Sequence, residues 1–73
     1  MVRYNSFMMI SINNKQMDLP KNITVSSLLE ILGIESKFIA VEINMAIIPK
    51  SEFESYKLQE NDNVEIINPV GGG

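Results

Sequence analysis

Cysteine, histidine and tryptophan are all absent from this chain. Without cysteine or histidine there is no disulfide framework, no thiol nucleophile, no imidazole base, no Fe–S ligation and none of the usual zinc sites. Most autonomous catalytic constellations go with them, so the chain reads as no enzyme, with no catalytic residue and no metal ligands of its own. Long apolar runs are missing too. Nothing approaches the roughly 20 residues needed to span a bilayer, and Met1 to Phe7 lacks the apolar middle of a signal peptide. The expected setting is cytoplasmic, with no membrane contact. Positive charge is also scarce: six Lys and Arg stand apart from one another against nine Asp and Glu, for a net charge of -3. Phosphate-backbone binding needs clustered cations, so no nucleic acid is expected, and a basic protein surface is the better partner. The carboxylates themselves are scattered and read as solvated surface.

With 73 residues the chain makes one domain, burying only about 60% of its unfolded surface. Apolar packing and backbone pairing must hold it, since no staple is available. From Met8 the pattern alternates, with Ile10 and Ile12 on one face and Met9 and Ser11 on the other. Asn13-Asn14-Lys15 breaks the run, and Gln16-Met17-Asp18-Leu19 alternates again up to Pro20, which predicts a β-hairpin. Thr24 then reads as an N-cap, followed by Val25, Leu28, Leu29 and Leu32 at helical spacing. Ile23 suits a hydrophobic staple, and Gly33 suits the left-handed position past the helix end. Phe38 to Asn44 alternates as a strand, Met45-Ala46 as a turn, and Ile47-Ile48 as a short strand stopped by Pro49. Ser51 to Tyr56 fits one helical turn, Asn61-Asp62-Asn63 another turn, and Val64 to Asn68 a last strand with Val64 and Ile66 inward.

These elements predict an α+β domain in which a mixed sheet of four or five strands packs on one main helix. A parallel pair formed across that helix would use a right-handed crossover. Residues 1–7 read as a flexible leader, or as a docking arm, residues 8–69 as the domain, and residues 70–73 as a flexible tail.

Gly71-Gly72-Gly73 can be a plain linker by composition. Its place shifts the reading: the glycines follow a strand-ending Pro69-Val70. Val70 to Gly73 can reach about 13 Å when extended, and glycine backbone fits channels too narrow for side chains. A carboxylate there is ionised at neutral pH, and attack on the α-phosphate of ATP would activate it as an acyl donor. The chain has no phosphate loop, so ATP and Mg²⁺ would belong to a partner.

The stretches Ile10 to Lys15, Thr24-Val25 with Leu28-Leu29 and Leu32, Ala40 to Asn44, Ile48-Pro49-Lys50, and above all Val64 to Gly73 resemble the ubiquitin-like β-grasp sulfur carriers, most closely those of thiamine biosynthesis. Met45 departs from the frequent Gly or polar residue, and Asn61 replaces a frequent turn glycine. The resemblance implies that an E1-like adenylyltransferase activates the Gly73 carboxylate. A persulfide sulfurtransferase, or cysteine desulfurase, then converts it to a thiocarboxylate, and thiazole synthase receives the sulfur. Val70, Gly71 and Gly72 would thread the partners' active sites, and Pro69 would set the tail's root. Ile67, opposite in alternation to Val64 and Ile66, is a candidate docking residue, or packs against the loop around Phe53. Two further readings stay open: the small subunit of molybdopterin synthase, and a β-grasp modifier or interaction module.

Overall fold

The computed structural model describes residues 6–68, and two asparagines shape its first hairpin. Asn13 and Asn14 have φ of 49° and 69°, the left-handed pair that a two-residue turn between twisted strands demands. They join β1 (Phe7–Ile12) to β2 (Lys15–Pro20), antiparallel from Phe7 opposite Pro20 to Ile12 opposite Lys15. The strands are longer than alternation suggests. Phe7 belongs to the sheet rather than to a leader, because the Ser6 carbonyl accepts a hydrogen bond from the Lys21 N–H at 3.0 Å. Residues 1–5 lie outside the described residues. Lys15 and Pro20 are strand rather than turn and stop, and Pro20 is tolerated because β2 is an edge strand that needs no outward donor.

Helix α1 (Val25–Leu32) is specified at both ends by its own sequence. At the start, the Ser27 N–H donates to Thr24 Oγ1 at 3.1 Å. The Val25 and Ser26 N–H groups donate to the carbonyls of Tyr56 and Phe53, at 3.0 and 2.9 Å. At the end, Gly33 takes φ 70°, its N–H reaches the Glu30 carbonyl, and the Ile34 N–H reaches the Leu29 carbonyl. That is a complete Schellman closure. Ser36–Phe38 forms a short 3₁₀ turn, so Phe38 is not strand: β3 is Ala40–Ile43. The following turn is Asn44-Met45, both left-handed, and Ala46 already belongs to β4 (Ala46–Ile48). A second 3₁₀ turn, Lys50–Glu52, fills the segment expected to hold one helical turn. β5 runs Asn63–Ile67, taking Asn63 from the expected turn and ending before Asn68.

The sheet order is β2-β1-β5-β3-β4. Its parallel pair joins the first and last strands, Ser11 to Asn63 and Ile12 to Val64, and the chain between them contains the helix. Every strand sends one set of side chains toward α1. Met8, Ile10, Ile12, Leu19, Val41, Ile43, Ile48 and Val64 pack with Val25, Leu28 and Leu29, and Phe53 and Leu58 complete the core.

One polar group sits inside this packing. Asp62, 7% exposed, accepts from Asn44 Nδ2 at 3.0 Å and from the Gln59 N–H at 2.8 Å. Asn44 Oδ1 in turn accepts from the Asn63 N–H at 3.0 Å. The carboxylate thus ties the β3–β4 turn to the start of β5. Asp62→Ala removes two hydrogen bonds to a buried carboxylate and is expected to lower stability by about 2 kcal/mol. Urea unfolding should show it as a midpoint about 2 M lower at unchanged slope.

Candidate functional site

β5 carries the chain toward its glycines, so the site is built outward from that strand. Its inward residue Val64 is buried and Ile66 is half-buried, while Glu65 and Ile67 face the side of the sheet away from α1. β3 pairs with β5 so that Glu42 stands directly opposite Glu65 and Ala40 opposite Ile67. β4 adds Ile47 opposite Glu42. The result is a helix-free face on which two carboxylates oppose each other, with Ile67 38% exposed and Ile47 70% exposed around them. Neither Glu42 nor Glu65 has a cationic partner among the described residues. Like charges directly opposite across a ladder cost stability, and two exposed isoleucines add unburied apolar area. Met45, at the tip of the β3–β4 turn, is 90% exposed with φ 72°, a conformation that a residue with an unbranched but bulky side chain seldom adopts.

The expected site residues divide cleanly. Ile67 is on this outer face, opposite Ala40 in the sheet. Pro69, Val70, Gly71, Gly72 and Gly73 lie outside the described residues. Ile47, Glu42 and Glu65 were not singled out in the sequence. Alternation does place Glu65 and Ile67 on one face, but the register that brings Glu42 and Ile47 beside them is a tertiary property.

The positive end of α1 is not open to a phosphate. Its first three N–H groups are engaged by Tyr56, Phe53 and Thr24, which are the donors an anion would need. Among the described residues no three acidic side chains converge into a metal-binding group, and no helix is long and apolar enough to cross a membrane.

A model of the ThiS family matches residues 2–73. The chain belongs to the ThiS family. The sulfur carrier protein ThiS of Bacillus subtilis is 35% identical over 66 residues, covering 89% of this chain and all of that protein. A thiazole synthase of Paramagnetospirillum magneticum is 36% identical over 66 residues, which are 90% of this chain but only 20% of the synthase. The chain therefore spans about a fifth of the thiazole synthases it matches. Among solved structures, the crystal structure of the thiamine biosynthesis protein ThiS from Geobacter metallireducens superposes with a TM-score of 0.80 at 25% identity. That match covers 90% of this chain and all of the other. The expected β-grasp architecture is thus the one this ThiS-family chain adopts.

Proposed function

We propose that this chain is the sulfur carrier of thiamine biosynthesis, with the Gly73 carboxylate as the group that carries sulfur. The observation that carries the reading is the family match through residue 73, on a chain whose last three residues are glycine. The carboxylate oxygen attacks the α-phosphorus of ATP on an E1-like adenylyltransferase, which supplies Mg²⁺, and pyrophosphate leaves. A persulfide sulfur of a sulfurtransferase or cysteine desulfurase attacks the acyl carbon, expelling AMP. A thiol then attacks the sulfurtransferase-side sulfur of the resulting acyl disulfide. The thiocarboxylate is released, and the two thiol sulfurs are joined as a disulfide. Thiazole synthase consumes the thiocarboxylate in the cytoplasm. The resemblance to one segment of thiazole synthases supports that last partner.

In this scheme the chain contributes two things. Val70, Gly71 and Gly72 give a narrow tether that enters partner active sites. The outer sheet face supplies docking: Ile67 and Ile47 flank the Glu42–Glu65 pair, which suits a partner presenting a Lys or Arg within an apolar rim.

Intact-mass measurement of the chain incubated with ATP, the adenylyltransferase and the persulfide donor tests this. The expected product is heavier by the replacement of one oxygen with sulfur, located at the C-terminal residue by fragmentation. An unchanged mass, or lysine conjugates in place of the thiocarboxylate, would refute it.

A further inference from the structure

The backbone ladder between β1 and β5 is short, pairing only Ser11 with Asn63 and Ile12 with Val64. β1 then turns away at Asn13, while β5 continues to Ile67. The Asn13 N–H still donates to the Val64 carbonyl at 2.9 Å. Beyond it, the carboxamide of Asn13 takes over. Its Oδ1 accepts from the Ile66 N–H at 2.8 Å, and its Nδ2 donates to the Ile66 carbonyl at 3.4 Å. One side chain thereby offers the acceptor and donor that a further residue of β1 would have offered. On its other side β5 stays paired with β3 as far as Ala40 and Ile67. Asn13 and Ile66 are 53 residues apart in sequence, and the turn conformation at Asn13, φ 49°, does not itself call for a carboxamide.

We propose that Asn13 is a positioning residue for the C-terminal handle: its carboxamide clamps β5 at Ile66, so that the strand ends, one residue later at Ile67, at a fixed point beside the docking face. The inference rests on the role given to Gly73 above. Without the clamp, β5 is held at Ile66 by β3 alone and, though still paired at Ile67, is free to change direction. A misdirected exit brings the loss that follows when a reacting group is poorly placed. Docking itself is spared, since β3 still holds Glu65 and Ile67.

Two variants separate the carboxamide from the turn. Asn13→Gly keeps the left-handed φ and removes both side-chain bonds; Asn13→Asp keeps φ and the oxygen that accepts from Ile66. Amide hydrogen exchange on the free protein should show Ile66 about tenfold less protected in Asn13→Gly, with Asn13→Asp close to the parent. In pyrophosphate exchange with the E1-like adenylyltransferase, kcat for Asn13→Gly should fall about three- to tenfold, through misplacement of the reacting carboxylate. KM for the carrier should stay within about twofold, and Asn13→Asp should restore kcat. An unchanged kcat in Asn13→Gly overturns the proposal. So does an Asn13→Asp variant as impaired as Asn13→Gly, or a loss of protection spread evenly over the core amides. If the parent chain itself supports no exchange, the carrier reading falls, and the clamp is then decided by Ile66 protection alone.

Discussion

Removing Gly73 abolishes adenylation and sulfur loading and leaves the melting temperature within about 2 °C of the full chain. The chemical half of that expectation follows from position. Deletion makes Gly72 the new terminus and draws the carboxylate back by one residue, about 3.5 Å, more than the tolerance of an in-line attack on phosphorus, where reacting atoms must lie within about 3–3.5 Å and aligned. The thermodynamic half follows from the core: among the described residues its last members in sequence are Val64 and the half-buried Ile66, seven residues before Gly73. Intact mass after incubation with the activating partners reads the first effect, and differential scanning calorimetry the second. A large drop in melting temperature would mean that the terminal residues take part in the fold and are not a presented handle.

Leu28→Ala produces the opposite pattern, a severe loss of stability with the handle untouched. Leu28 is fully buried on the core face of α1, between Val25 and Leu29 and against the sheet. Truncating a buried leucine to alanine costs about 3 kcal/mol, the sum of lost transfer energy and an unfilled cavity. A 73-residue domain has only about 4–11 kcal/mol in total, so the melting temperature should fall by about 15 °C. The companion change Ile31→Ala, one turn away on the 51% exposed side of the same helix, should stay within about 0.5 kcal/mol. Equal effects at the two positions would mean that α1 does not bury the face assigned to it.

Local chemistry made α1 legible. Thr24 and Gly33 act on their own neighbours, so both helix ends can be read from a few adjacent letters. The same is true of strand faces: Ile39, Val41 and Ile43 alternate in the sequence and are buried in the fold. What sequence order obscured was pairing. That β1 and β5 form the parallel pair could not be read from the order of elements, because register depends on hydrophobic faces meeting after collapse and not on adjacency. Strand limits moved for a related reason. Phe7 and Lys15 become strand only because Pro20 and Ile12 lie opposite them.

The glycine run proposed as the handle was readable because three in a row are a compositional signal. The outer face of the sheet was not, since Glu42 meets Glu65 and Asn13 meets Ile66 only across long stretches of chain. Asparagine does double service in this protein. Asn13 and Asn44 adopt left-handed backbone and also bond distant strands through their carboxamides. The left-handed turn was legible at Asn13 but not at Asn44, which alternation placed in a strand, and neither long-range bond can be read from the sequence.

The strand that precedes the glycines in sequence is also the middle strand of the sheet. A chain emerging from the ribosome therefore holds a β1–β2 hairpin and a β3–β4 hairpin with no strand to join them until residues 63–67 appear. Nascent chains halted earlier keep two sheet edges unpaired and lack Val64 from the core, a state that proteases and chaperones recognise. Synthesis thus imposes its own quality control: the sheet face proposed for docking forms only on chains already extended through residues 63–67.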